Sequence, residues 1–267
     1  MKRKDPEIIY YSDELNDDFS PTNDKITPIK VDEHYAYSTK NPIKRFFSFA
    51  LRRLILPFVA FCYNRINFQV RYRNRKVLKQ AKRSGYFIYG NHTQLTPDAF
   101  IPFELTLPKE GLIIVSRETV SIPFVGGIAK ALGAVPLPSD IKATKNFLAF
   151  LERKINVDKA AIGIYPEAHI WPFYTGIRPF GDGSFHYPVK YNVPVYCFTN
   201  TYHKKKFGKK PRIITYVDGP FYPDESLDSL ARKKKLRDQV YETMKKRSEE
   251  SDYSYIQYRK KEEKDDN

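Results

Sequence analysis

Two stretches of the chain set an acid and a histidine where strands of an α/β sheet would run out into loops. The first is Gly90-Asn91-His92-Thr93-Gln94-Leu95-Thr96-Pro97-Asp98. It follows a short β-rich run, YFIYG, at residues 86–90. Thr96-Pro97-Asp98 reads as a helix start, with Thr96 as N-cap and Pro97 at the first helical position. His92 then lies in a tight loop and Asp98 in a first helical turn. A carboxylate beside a histidine fixes its tautomer and leaves the other ring nitrogen free as a base. By spacing alone, a dipole-favoured Asp and an ordinary loop histidine are the plainer reading. The second stretch runs from Ile164 to Phe173 and displays Glu167, Ala168 and His169 after Pro166; a Pro-bounded surface turn fits it equally well. A third, Arg178-Pro179-Phe180-Gly181-Asp182-Gly183-Ser184, is a Gly-rich turn opening a helix, whose amides suit a phosphate. Five scattered His and two Cys show no metal-ligand spacing, so no metal is expected.

The elements that must position these residues alternate. Apolar runs at 112–116, 134–137, 160–165, 193–199 and 213–217 read as strands, as does the alternating FQVRYR at 68–73. Helical periodicity covers 98–107, 124–132, 141–155 and a charged stretch at 227–247. Alternation of this kind predicts an α/β fold: a mostly parallel central sheet flanked by helices, preceded by a basic, amphipathic, membrane-associating helical segment. The expected organisation is a polar, poorly ordered leader at 1–40, a membrane-anchor segment at 41–67, an α/β domain at 68–225, and a charged C-terminal helix and frayed tail at 226–267.

The net charge of +15 has a definite place in the chain. Residues 1–33 carry nine acids, whereas no Asp or Glu occurs from His34 to Pro97, a stretch holding 13 Lys and Arg. Such a block calls for an anionic partner. Within it, LILPFVAFCYN at 54–64 is 11 residues without charge, too short by itself to cross a bilayer, which takes about 20 residues. Flanked by Lys44, Arg45, Arg52, Arg53 and Arg65, it suits a helix lying in the membrane surface, kinked at Pro57, its cations reaching lipid phosphates. A core helix is the alternative. Anionic membrane lipids are the expected partner, at the cytoplasmic side of the cell membrane. Nucleic acid is the rival partner for a basic, aromatic-rich chain, and is not expected because no recognition motif appears. Two cysteines, Cys62 and Cys197, make no disulfide framework.

Taken in order, the motifs over residues 43–220 resemble the glycerophospholipid acyltransferases, the lysophosphatidic acid acyltransferases and their relatives. Asn91, His92 and Asp98 match the family's Asn-His…Asp block. Arg117 with Ile122-Pro123-Phe124-Val125-Gly126, running to Leu132-Gly133-Ala134, matches the next. Pro166 and Glu167 match part of Pro-Glu-Gly-Thr-Arg, Arg178-Pro179-Phe180 matches a Lys/Arg-Pro-Phe block, and Val193-Pro194-Val195 a Val-Pro-Val strand. The resemblance implies transfer of a fatty acyl group from acyl-CoA or an acyl carrier protein to a lysolipid hydroxyl, such as that of 1-acylglycerol 3-phosphate, in phospholipid biosynthesis. It implies a catalytic pair, His92 and Asp98, and no cofactor beyond the acyl thioester. Asn91, Thr93, Arg117, Glu167, Ala168, His169 and Arg178 would meet substrate, with amides near 91–93 serving the oxyanion, Glu167 placing the acceptor and Arg178 its phosphate. The chain departs from the pattern in four places, one being the absence of the Pro that usually follows Val193-Pro194-Val195, where Tyr196 and Cys197 stand. Five residues rather than four separate His92 from Asp98. Ala168, His169 and Ile170 replace Gly-Thr-Arg. Ser139 or a neighbour stands where an Arg is usual. A catalytically divergent membrane-surface protein of the same fold is the alternative.

Overall fold

The computed structural model describes residues 6–20, 26–39, 41–123, 125–206, 208 and 210–261. In chain order, strand β1 (Glu7–Tyr11) leads to helix α1 (Pro42–Ala50), a π-helical turn (Leu51–Ile55) and α2 (Leu56–Phe68). Then follow β2 (Arg71–Arg73), a 3₁₀ segment (Arg75–Ala81), β3 (Tyr86–Gly90), α3 (Leu95–Thr106), β4 (Gly111–Val115), α4 (Arg117–Ser121), α5 (Val125–Ala131), β5 (Ala134–Pro136) and α6 (Ile141–Glu152). The chain continues through β6 (Ala161–Ile164), α7 (His186–Tyr191), β7 (Val195–His203), β8 (Arg212–Phe221), α8 (Ser229–Ser248) and β9 (Ile256–Lys260).

The main sheet has seven strands in the order β2-β8-β7-β3-β6-β4-β5. The five from β7 to β5 are mutually parallel, and β8 runs antiparallel to β7. The mostly parallel α/β architecture read from the sequence is therefore the observed one. Phe87 and Tyr89 of β3 face α6, α7 and α8, whereas Tyr86 and Ile88 face α3 and the 3₁₀ segment. A strand buried on both faces must be apolar throughout, which explains its unbroken hydrophobic run. Helix α6 starts where the Asp140 side chain accepts from Ala143 N, and it buries Ala143, Phe147 and Leu151 at four-residue spacing. Helix α8 is capped by Asp228 and buries Leu236, Val240 and Met244 in the same way.

Several boundaries differ from expectation. Helix α3 begins at Leu95 with Gln94 at its N-cap, not at Thr96, because the Asp98 carboxylate reaches back to the loop amides. Helix α2 runs through Phe68 and ends at Gln69 in the left-handed region, so the strand expected from 68 starts at Arg71. Phe124 lies outside the described residues. The leader is not poorly ordered over 6–20 and 26–39: β1 pairs in parallel with β9, and Val31 is fully buried. The tail at 256–260 is correspondingly a strand rather than frayed. Polar composition misled here because backbone pairing and aromatic contacts, not apolar runs, hold these segments. Phe19 N donates to Ile170 O, Trp171 Nε1 to Asp17 O, and the Tyr11, Phe19 and Tyr258 rings surround Trp171.

The apolar segment is also longer than its uncharged core suggests. Pro42–Phe68 forms one run of 27 helical residues, long and apolar enough to cross a membrane by length and composition. Asn41 caps it, accepting from Ile43 N and Lys44 N. Pro57 does not break it. The π-helical turn just before, where Leu56 N donates to Leu51 O, absorbs the mismatch of a missing N–H.

At the C-terminal end of β3 the chain passes hard against β7. A Cβ on Gly90 would overlap the ring of fully buried Phe198, which is in register with it. Gly90→Ala is expected to destabilise the fold by about 1–3 kcal/mol, measured as a lowered urea midpoint. An unchanged midpoint would show that Phe198 moves freely.

Candidate active site

The parallel strands deliver their C-terminal ends to one edge of the sheet, where ligands of such folds bind. There β3 yields Asn91 and His92, β6 yields Tyr165 and Glu167, and β4 yields Arg117.

His92 and Asp98 meet: His92 Nδ1 lies 2.9 Å from Asp98 Oδ2. Only Thr93 and Gln94 separate His92 from α3, and Asp98, in the first turn, reaches back across them. The same Oδ2 accepts Thr93 N and Gln94 N, both at 2.8 Å, and Oδ1 accepts Asn200 Nδ2 at 3.3 Å. Asp98 is 1% exposed. Burial pushes its carboxyl above the usual range, while the His92 hydrogen bond and charge and the two amides pull it back. With Asp98 as acceptor, His92 carries its proton on Nδ1 and keeps the Nε2 lone pair. No described residue hydrogen-bonds Nε2, and the side chain remains 18% exposed. The imidazole stacks on Tyr165 with centroids 4.5 Å apart, and the Tyr165 hydroxyl donates to Asp98 O. The ring is thereby held on one edge and one face.

Glu167 and Arg178 form a second buried pair behind the loop. Glu167 Oε2 accepts His92 N at 3.0 Å and Oε1 accepts Arg178 N at 3.1 Å. The Arg178 guanidinium lies 3.6 Å from Glu167 Oε2, donates to the carbonyls of Glu167 and His169, and sits over Trp171. Burial raises the Glu167 carboxyl and Arg178 pulls it back. Arg178 is 1% exposed, so it is not presented to an acceptor phosphate. Its charge is committed to Glu167, which in turn braces the His92 amide rather than facing an acceptor. The amides of His92 and Thr93 are likewise engaged by Glu167 and Asp98, so neither is free to serve as an oxyanion donor.

Among the other expected residues, Asn91 is buried and ties β3 to β7: its Nδ2 donates to Asn200 O and its Oδ1 accepts Asn200 N. Thr93 Oγ1 accepts the Tyr202 hydroxyl at 2.7 Å. Arg117 Nη1 donates to Ser139 Oγ, whose residue is also bonded to the leader at Val31. His169 lies 3.7 Å from Asp18 of the leader. Ala168 is exposed with φ +62°, the left-handed conformation that suits glycine, so the turn keeps its shape at a cost of about 1–2 kcal/mol. Sequence reading gave no role to Tyr165, Asn200, Gln94 or Tyr202. Tyr165 had a usable signal, directly preceding Pro166-Glu167 at a strand end. Asn200 had none, since register alone brings it to Asp98. Among the described residues, no three His, Cys, Asp or Glu side chains gather as a metal site.

A family model described as Acyltransferase matches residues 69–200, which bears out the resemblance read from the motifs. Among solved structures, the chain is similar to the 1-acyl-sn-glycerophosphate (LPA) acyltransferase PlsC from Thermotoga maritima. The two share 16% identity with a TM-score of 0.54, over 79% of this chain and 84% of that one. At that identity the likeness carries the fold alone. No curated protein sequence matches the chain.

Truncating Arg178 would leave Glu167 buried without its cation. Arg178→Ala is therefore expected to cost about 3–5 kcal/mol of stability, read by thermal or urea unfolding. Full stability with only a raised KM for a phosphorylated acceptor would restore Arg178 to a ligand-binding role.

Proposed function

This chain belongs to the acyltransferase family, and on that basis we propose that it moves a fatty acyl group from an acyl thioester to a hydroxyl of a lysolipid, with His92 as general base. The observation that carries the reading is the 2.9 Å contact of His92 Nδ1 with buried Asp98, which leaves Nε2 free. A lipid hydroxyl is a weak nucleophile near pH 7. His92 Nε2 takes its proton as the oxygen attacks the thioester carbonyl carbon. The C–S bond breaks as the tetrahedral intermediate collapses, and the imidazolium returns the proton to the departing thiolate. Asp98 holds the tautomer and offsets the imidazolium charge, so the acceptor hydroxyl occupies the place a serine has in a hydrolytic triad and no acyl-enzyme forms. Acyl-CoA and acyl carrier protein both supply such a thioester. A 1-acylglycerol 3-phosphate is the acceptor we propose, in line with the motif resemblance and with the name of PlsC, a 1-acyl-sn-glycerophosphate acyltransferase of similar fold. With Arg178 committed to Glu167, any acceptor phosphate must find its cation elsewhere.

The substrates are lipids, and the α1–α2 surface fits a membrane. Phe46, Phe47, Phe49, Leu54, Ile55, Phe58, Phe61 and Ile66 are exposed, the last by 77%. The opposite side of α2 buries Leu56, Ala60, Asn64 and Phe68 at four-residue spacing, and Arg52 is held to Glu110 at 2.7 Å. A helix crossing the bilayer would drag the packed domain with it. The apolar face instead lies in the membrane surface, anchoring the enzyme peripherally, on the cytoplasmic side that its basic charge favours.

His92→Ala is expected to lower acyl transfer from labelled acyl-CoA to lysolipid vesicles by about 10²–10⁴-fold, with vesicle sedimentation unchanged. Full activity would sink the assignment. Phe46→Ser/Phe49→Ser, on a helix with no buried residue, is expected to weaken vesicle binding by about tenfold or more while the folded domain survives. Undiminished sedimentation would remove α1 from the membrane.

A further inference from the structure

The acid-free block contributes more than helix flanks. A cavity of about 600 Å³ opens between the C-terminal half of α2, β2 and the start of the 3₁₀ segment. Five of the block's cations line it: Arg65, Arg71, Arg73, Arg75 and Lys76. The one acid in the lining is Glu104 of α3, which is buried and already accepts from Asn64 Nδ2 and the Tyr72 hydroxyl. Arg75 is spent on the carbonyls of Glu104 and Leu105, and one Arg65 nitrogen on Val70 O. Arg71, Arg73 and Lys76 have no hydrogen-bond or ion-pair partner among the described residues, and all three are exposed. Asn64, also in the lining, is 1% exposed, and its Oδ1 has no hydrogen-bond partner among the described residues. A buried acceptor left open beside unpaired cations asks for a ligand that brings negative charge and a hydroxyl or water proton.

Charges on an edge strand alone could serve to discourage strand pairing, but that role requires neither a cavity nor a buried open acceptor. The setting identifies the ligand more closely. Phe61 lines the cavity and is itself exposed, and Ile66 projects one turn further on. The cavity thus borders the apolar face assigned to the membrane, and a helix lying in the membrane surface brings such a flank to the lipid headgroups. None of its lining residues belongs to the His92 site. Glu104 stands six residues beyond Asp98 on α3, about 9 Å along the helix.

We propose that this cavity is a binding site for the phosphate of an anionic phospholipid headgroup, separate from the acyl-acceptor site, with Arg71, Arg73 and Lys76 holding the phosphate and Asn64 Oδ1 accepting from the headgroup hydroxyl or its bound water. The site gives the enzyme a preference for anionic membrane and fixes its rotation about the α1–α2 axis. The proposal rests on the membrane reading above.

The test uses the full chain and vesicles of phosphatidylcholine, with and without about one third phosphatidylglycerol. Arg71→Gln/Arg73→Gln is expected to weaken binding to the anionic vesicles by about tenfold or more, and to leave binding to pure phosphatidylcholine unchanged. Lys245→Gln/Lys246→Gln removes the same charge from exposed positions of α8 and is expected to change binding less than about twofold. Acyl transfer in detergent micelles should stay at the wild-type rate and KM for the Arg71/Arg73 variant. Equal losses from both pairs would reduce the effect to net charge and overturn the site. A raised acceptor KM in micelles would move the cavity into the acceptor site, and displacement from vesicles by inorganic phosphate at matched phosphate concentration would make it a free-phosphate site; either overturns the proposal. Wild-type protein that binds no vesicle would sink the membrane reading itself, whereas anionic preference that ignores Arg71 and Arg73 sinks the proposal alone.

Discussion

A carboxylate with almost no contact with water sits at the centre of the site. Taking Asp98 out of solvent is costly unless its lone pairs are met, and here four donors meet them: His92 Nδ1, the amides of Thr93 and Gln94, and Asn200 Nδ2. These donors come from the loop after β3, the start of α3 and the middle of β7. Satisfying one charge therefore determines the turn of the loop, the register at which the helix begins and the direction of the imidazole. The His92–Asp98 pair is less an ornament on the fold than the reason three elements converge as they do.

A second buried carboxylate repeats the logic one loop away. Glu167 is met by the amides of His92 and Arg178 and by the Arg178 guanidinium. Between them the two acids consume the amides of residues 92–94, so the loop is rigid and its backbone is not available to substrate. The outer side of this arrangement is closed by the leader and β9. Asp17, Asp18 and Phe19 of the leader bond the segment carrying Trp171, and Tyr258 of β9 stacks on the same indole. Polar segments become ordered in this way because each backbone group finds a partner and a few aromatic rings supply the burial.

Helix α2 divides its circumference between two environments. One stripe packs on the domain and the other carries exposed aromatic and aliphatic side chains. The basic residues of the same block are sorted by the fold: Arg52 pairs with Glu110, whereas the side chains of Arg71, Arg73 and Lys76 have no partner among the described residues and stand around a cavity at the edge of the apolar face. The proposed chemistry on lipids and the proposed contact with a lipid surface thus involve adjoining stretches of chain.

The α/β class, the strand-to-loop placement of His92 and Glu167, and the short-range order of Asn91, His92 and Asp98 were legible in the sequence, because period, turn residues and local spacing act within a few positions. The 64 residues without an acid, His34 to Pro97, were likewise visible in the sequence and motivate the proposed anionic partner. Local rules failed at the helix start, where Thr96-Pro97 looked decisive but a side-chain bond from Asp98 to the loop moved it to Leu95. They failed again at Arg178, whose exposure depends on Glu167 and Trp171, and at the leader, whose partner strand lies at the other end of the chain. Asn200 had no sequence signal because only the β3–β7 register carries it to Asp98. The residue types able to do the chemistry were set by sequence alone. Which charges are buried, which are paired and which face a ligand was decided by tertiary contacts, since desolvation depends on neighbours that the linear order does not name.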